Sequence, residues 1–212
     1  MFFIQTPATN IYTNAGQQLD YKLPDQSSVS LNADAQITFN TFTFDEQRVV
    51  KLYGEAFFDV VQGDSFKVYT DHGMVLVKGT SFGVLADPYE FRVSCKTGQV
   101  EVKDYGKEKI TLNAGDQVRF RDSTFLAIEK VSPSIIASWR NGESKFKSEP
   151  LKNVIRAVEK QFDIRIHTDT TIIKQKFTGS FLHKDVDTAM KMIFIPMEVK
   201  YKKEKENVYK VF

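Results

Sequence analysis

Several residue types in this chain can react or ligate, and their spacing decides what each can do. The segment "VLVKGTSFGV", residues 75–84, sets a lysine, two glycines and two hydroxyls inside an apolar run. A phosphate loop needs GxxxxGK[ST] between a strand and a helix, so that backbone N–H groups and a lysine meet the phosphates. Here no lysine follows the second glycine, and strand-forming residues follow instead of a helix. His72, His167 and His183 are far apart and lack ligand spacing, so no metal site is expected. Each is expected to face solvent or to rest on a nearby carbonyl. Cys95 alternates with Phe91 and Val93, which fits a buried small apolar residue better than a nucleophile. Glu55 in "LYGEAFFDV" follows a glycine between two strand-like runs. No second carboxylate stands at a suggestive spacing, so a structural role in a turn outweighs acid catalysis. A hydrolase would also need a convergent Ser/His/Asp set, and the three histidines offer none. No cofactor motif and no catalytic cluster emerge, and the chain is not expected to be an enzyme.

The whole chain must supply a scaffold for these residues. At 212 residues and 42% hydrophobic content it can build one large or two small cores. Its 18 Phe and 8 Tyr favour strands over helices. The formal charge of +2 comes from interleaved Lys, Asp and Glu, which gives no electrostatic case for binding nucleic acid. One cysteine excludes an internal disulfide but not a secreted location. No apolar run approaches the roughly 20 residues that cross a bilayer. The opening "MFFIQT" is too short for a signal peptide, and it reads as the remnant of a chain cut just after a membrane helix.

Two halves have different grammar. From Ile11 to about Val131 short alternating strands recur between turn formers, as in a sandwich or barrel-like stack. "SVSLNADAQITF" turns at Asn32-Ala33-Asp34. "EFRVSCKTGQVEVKD" has a hairpin signature at Lys96-Thr97-Gly98, and "KITLNAGDQVRF" repeats it at Asn113–Asp116. Pro133 ends this regime. Beyond it, "PLKNVIRAVEKQF" places Leu151, Val154, Ile155, Val158 and Phe162 at helical spacing after Pro150. "KDVDTAMKMIFI" does the same with Val186, Ala189, Met190 and Ile193, capped by Asp185. The order is strand, helix, strand, then strand, helix, strand, strand. The expected fold class is mainly β plus α+β. Residues 1–132 are read as an all-β domain and 136–212 as a small βαβ-βαββ module, joined through Pro133.

Several stretches resemble the periplasmic region of FecR-type anti-sigma factors. "LPDQSSVSLNADAQITF" is similar to that family's LPDGS-x-V-x-LN segment. "RVVKLYGEAFFDV" is similar to R-x-V-x-L-x-GEAFF-x-V. "FKVYT" and "VLVKGTSFGV" resemble its F-x-V-x-T and GT-x-F-x-V strands, and "TGQVEV" and "LNAGDQV" its closing hairpins. The match runs from about Ile11 to Phe120 with order kept. Gln26 departs from it, since the family usually has glycine there, and suggests a turn without positive φ. The second half is similar, by element order, to the secretin/TonB short N-terminal fold.

The resemblance implies a sensor region of a single-pass inner-membrane protein, lying in the periplasm. Such proteins hold a sigma factor through a cytoplasmic segment and listen to the N-terminal signalling domain of an outer-membrane TonB-dependent transducer. A cofactor is not implied. An alternative class is a glycan- or peptidoglycan-binding module. An exposed aromatic row would favour the glycan module, and a bare strand edge the sensor. The C-terminal strands, Met197–Lys203 and Val208–Phe212, are expected to end the small domain's sheet. Val208, Tyr209 and Val211 are then candidates for pairing with a partner strand. The run "KYKKEKENVYK" reads as a solvated edge rather than a membrane site. In some FecR-type proteins the Gly-Thr bond of this motif breaks without a protease, which points to Gly79 and Thr80. The Thr80 hydroxyl would attack the Gly79 carbonyl, the C–N bond would open to an ester, and water would hydrolyse it. The simpler reading is a glycine that allows a bend and a threonine suited to a strand. Sequence names no base for the reaction.

Overall fold

The structure is a computed structural model and describes residues 8–106, 108–121 and 124–212. The opening "MFFIQT" stretch lies outside the described residues. Contacts divide the chain into two compact units, one of residues up to 14 with 18–136 and one of 15–17 with 137–212.

The first unit runs β1 (Thr9–Tyr12), β2 (Leu19–Lys22), β3 (Ser28–Leu31), β4 (Gln36–Phe39), a four-residue helix α1 (Phe44–Gln47), β5 (Val49–Asp59), β6 (Phe66–Tyr69), β7 (Gly73–Val77), β8 (Ser81–Asp87), β9 (Glu90–Cys95), β10 (Gln99–Asp104), β11 (Lys109–Asn113), β12 (Asp116–Arg121), β13 (Thr124–Phe125) and β14 (Glu129–Lys130). Alternation of apolar and polar residues makes each strand two-faced. β5, with its eleven residues, belongs to two layers. Its first half pairs with β4 and β6, and its second half with β3 and β8. The change comes at Gly54, whose φ is +86, and a Cβ there would lie 2.7 Å from the Asp34 carbonyl oxygen. Only glycine fits that bend. One layer is ordered β1-β4-β5-β6-β7-β10-β11 and the other β2-β3-β5-β8-β9-β12, with β13 and β14 beyond β12. Between them lies one core of Phe and aliphatic side chains, among them Phe44, Phe58, Phe66, Phe82 and Phe91. Phe58 contacts Phe66 across the layers at 6.0 Å and stacks on Phe82 at 5.2 Å.

This layering corrects the hairpins read from sequence. β9 pairs with β8 and β12, whereas β10 pairs with β7 and β11. Lys96–Gly98 therefore carries the chain from one layer to the other. Asn113–Asp116 does the same between β11 and β12, and Asn32–Ala35 between β3 and β4. Glu55 is corrected too: it sits inside β5, where its Oε2 accepts from Asn32 Nδ2 at 2.7 Å and holds that corner.

Gln26 is a third correction, because its φ is +69. Leu23 N donates to the Ser27 carbonyl and Gln26 N to that of Leu23, so Pro24 and Asp25 form the turn and Gln26 takes the left-handed position after it. A side chain there costs roughly 1 kcal/mol that glycine does not. Gln26→Gly is expected to raise stability by about 0.5 kcal/mol, once glycine's greater unfolded-state freedom is subtracted. Urea unfolding would measure it, and a destabilised variant would contradict it.

The second unit runs β15 (Glu143–Pro150), α2 (Leu151–Phe162), β16 (Arg165–Thr168), β17 (Lys176–Leu182), α3 (Val186–Phe194), β18 (Tyr201–Lys205) and β19 (Val208–Val211). This is the expected order, and mainly-β plus α+β is the observed class. The helices start where the caps say: Pro150 precedes α2, and Asp185 accepts from Thr188 N at 2.8 Å. Leu151, Val154, Ile155 and Val158 of α2 and Ala189, Met190 and Ile193 of α3 cover a core with Phe181 and Val211. The strands form two sheets, not one: β15-β17 and β16-β19-β18.

Candidate functional site

Residues 75–84 run from the end of β7 through a corner at Lys78–Thr80 into β8. Gly79 and Thr80 lie in the link from β7 to β8, where the chain changes layers. Three segments lock there. Val60 N donates to the Thr80 carbonyl at 3.0 Å and Gly63 N to that of Lys78 at 2.8 Å. Lys96 N and Thr97 N both donate to the Ser81 carbonyl, and Ser81 N to Thr97 Oγ1. A Cβ on Gly79 would lie 2.8 Å from the Gln62 Cα, so the residue must be glycine. Gly98, with φ +71, closes over the bond: a Cβ there would stand 3.1 Å from Thr80 Oγ1 and 3.2 Å from the Gly79 carbonyl oxygen.

Thr80 is buried, and its hydroxyl donates to the Gln99 carbonyl at 3.1 Å. A carbonyl cannot take up the proton, so this contact does not activate the oxygen for attack. Denaturing mass spectrometry is expected to return one species at full mass, the same for Thr80→Ala apart from the substitution. Two fragments that together equal the full mass plus water would establish cleavage at Gly79-Thr80.

The other reactive side chains are held singly. Cys95 is fully buried, and burial, with Asp116 nearby, pushes its thiol up to about 11. His72 stacks on Phe91 at 5.7 Å, and its Nε2 donates to the Asp87 carbonyl at 2.8 Å. His167 lies exposed, 3.5 Å from Glu204. His183 Nε2 hydrogen-bonds Ser144 Oγ at 2.9 Å, and burial holds its pKa below the ordinary value, against a smaller opposing pull from Glu143. Protonation is therefore easier in the unfolded chain. Stability from this group is whole above pH ~6.5 and falls as pH drops through the lower folded pKa. His183→Gln is expected to flatten that part of the stability–pH profile, read from urea midpoints at pH 7.5 and 5.5. An unchanged slope would contradict it.

The C-terminal strands correct the expected partner surface. β19 is the middle strand of its sheet, parallel to β16 on one side and antiparallel to β18 on the other. Tyr209 and Val211 are buried, and Val208 is partly so. Tyr209 and Val211 therefore build the small core, and the backbone of β19, Val208 included, is committed to ladders on both sides. The outer strands are β16 and β18. On β16 the Ile166 N–H is taken by Glu159 Oε1 at 2.8 Å, which blunts that edge. On β18, Lys200 and Phe212 exchange both backbone bonds. Antiparallel pairs alternate, so Lys202 also faces β19 whereas Tyr201 and Lys203 turn their N–H and C=O outward. Lys200, Lys202, Lys203 and Lys205 line this edge, and Lys203 Nζ lies 6.0 Å from the Tyr209 ring centre.

One constellation was not read from sequence as a unit. Arg48, held at φ +47 after α1, reaches Asp25 with Nε and Nη2, both at 2.8 Å. Its other bonds go to the carbonyls of Asp64 and Val61 at 2.6 and 2.7 Å. Asp25 also accepts from Ser27 N and Oγ. The signal was present in the two motif segments that carry LPD and RVV, but only folding brings them together. Among the described residues no cluster of three or more metal-ligating side chains forms.

Comparison with known proteins agrees with this architecture. The FecR protein family matches residues 9–101, and the FecR C-terminal domain matches residues 143–210. No curated protein matches the chain. Two crystal structures of a proposed anti-sigma factor from Parabacteroides distasonis are similar to it, each at 26% identity. One superposes with a TM-score of 0.89 over 97% of this chain and 99% of that one, and the other with 0.88 over 96% and 98%. With a FecR domain followed by a FecR C-terminal domain, the chain belongs to the FecR family of anti-sigma factors.

Proposed function

We propose that this chain is the periplasmic sensor region of its anti-sigma factor. It receives a signal from the N-terminal signalling domain of an outer-membrane TonB-dependent transducer and relays it to the sigma factor. The sigma factor is held through a cytoplasmic segment that these 212 residues do not include. The observation that carries the reading is the open edge of β18 in the FecR C-terminal domain. An outward row of N–H and C=O groups accepts an added strand without remodelling the fold. The lysines along it favour a partner segment rich in Asp and Glu and disfavour pairing with a second copy of the same edge. No helix among the described residues is long and apolar enough to cross a membrane. Titration calorimetry of transducer signalling domains into the full chain tests the reading. Saturable binding of equal numbers of molecules, weakened by salt, is expected. Absence of binding by every such domain of the source organism would refute it.

A further inference from the structure

The chain divides its aromatics between core and surface. Phenylalanine fills the sandwich core, whereas four of the eight tyrosines stand on one outer face or at its margin. That face belongs to the layer β1-β4-β5-β6-β7-β10-β11. Tyr12 of β1 is in register with Gln36 of β4, and Gln36 with Tyr53 of β5. Tyr69 of β6 is in register with Lys51, two residues before Tyr53 and on the same side of β5. Tyr105 follows β10, and its hydroxyl donates to the Thr70 carbonyl at 2.7 Å. Thr70 follows Tyr69, so this bond holds Tyr105 at the same end of the stripe, and burial, with Asp71 and Tyr69 adding and Lys51 opposing, raises its pKa. Tyr12 is 66% exposed, Tyr53 42% and Tyr105 63%. Inward neighbours Ile11, Ile37, Leu52 and Val68 anchor the strands that carry this row.

We propose that this face binds an oligosaccharide. A pyranose presents a C–H face that stacks on an aromatic ring and a rim of hydroxyls that both donate and accept. Tyr12 and Tyr53 are two strand spacings apart, about 10 Å, a distance on the scale of a disaccharide. Between and beside them lie groups that donate and accept: Asn10, Gln36 and Thr38. These are already oriented, since Asn10 Oδ1 accepts from Thr38 at 2.7 Å and from Gln36 at 3.4 Å. The face is also cationic: Lys51 lies 3.3 Å from Asp71, Glu101 takes both Lys103 at 2.9 Å and Lys109, and Lys67 of β6 stands on the same side. Two-torsion rings with one tethered hydroxyl lose little freedom on binding. The site stands on the tyrosine face alone and is independent of the β18 edge.

The test titrates the full chain with the hexamers of β-1,4-linked glucose and of β-1,4-linked N-acetylglucosamine. At least one is expected to bind saturably, with an affinity little changed by high salt. Tyr12→Ala and Tyr53→Ala are each expected to weaken it about threefold to tenfold. Both side chains are exposed, so far-UV circular dichroism should be unaltered. Tyr89→Ala, in the turn between β8 and β9, should leave binding unchanged. Failure of both hexamers to bind would overturn the proposal, as would binding that both tyrosine variants leave intact. Loss of transducer-domain binding in Tyr53→Ala, with no saccharide binding by the wild-type chain, would make the face a protein interface instead and overturn it equally.

Discussion

Arg48→Ala is expected to lower the stability of the FecR domain by about 3–5 kcal/mol, the usual cost of removing one partner of a buried ion pair. The Arg48 side chain is 7% exposed and that of Asp25 10%. Truncation leaves the Asp25 carboxylate without its charge partner and strips the Asp64 and Val61 carbonyls of a donor. It also removes the guanidinium from the Phe66 face, 5.6 Å from the ring centre. Three segments lose their common tie: the β2–β3 turn, the end of α1, and the loop after β5. Arg48→Lys should recover little, because a single ammonium cannot reproduce the planar fork that serves a carboxylate and two carbonyls at once. Asp25→Asn should cost less than Arg48→Ala, since Arg48 keeps both carbonyl acceptors. Guanidinium unfolding of the three variants checks this order. A loss under about 1 kcal/mol in Arg48→Ala, the range of an exposed pair, would show that the clasp does not hold the domain together.

The sequence made some of this architecture readable and hid the rest, for reasons that particular residues show. Local periodicity carried the elements. Leu151, Val154, Ile155 and Val158 recur at helical spacing, Asp185 caps α3, and Phe91, Val93 and Cys95 alternate along β9. Turn chemistry marked where the chain reverses but not which strand the next one joins. Lys96-Thr97-Gly98 and Asn113–Asp116 look like hairpin turns, yet each steps between layers, because β10 finds β7 and β12 finds β9. Pairing partners are fixed by long-range burial that no window of ten residues contains. The same blindness affected the C-terminus. Val208, Tyr209 and Val211 alternate as a half-buried strand does, but only the parallel partner β16, more than 40 residues earlier, turns β19 from an edge into a centre. Gln26 misled because its position after the Pro24-Asp25 turn demands a left-handed backbone whatever residue occupies it. Gly79 and Thr80 stood out in sequence for their types. Their surroundings, a corner shared with Gln62 and Gly98, are tertiary.

Proline at position 203 is expected to reduce binding of the transducer's signalling domain by roughly tenfold to a hundredfold. The Lys203 N–H points away from β19, so its removal leaves the internal ladder intact and takes one donor from the open edge. A partner strand laid there would bury an unpaired carbonyl against the ring of the proline, at a cost of roughly 1–3 kcal/mol. Lys203→Ala separates this from charge, since alanine keeps the N–H but loses the ammonium above Tyr209. It should cost a few-fold at low salt and little at high salt. A chain ended after Glu206 would not serve as a test, because it lacks β19, the centre of the sheet. The most direct measurement is therefore one titration series, in which the transducer domain is added to the wild-type chain, Lys203→Ala and Lys203→Pro, each checked for an unchanged melting transition. The account predicts near wild-type affinity at high salt for the alanine variant and at least a tenfold loss for the folded proline variant. Equal affinity in all three would contradict docking at the β18 edge.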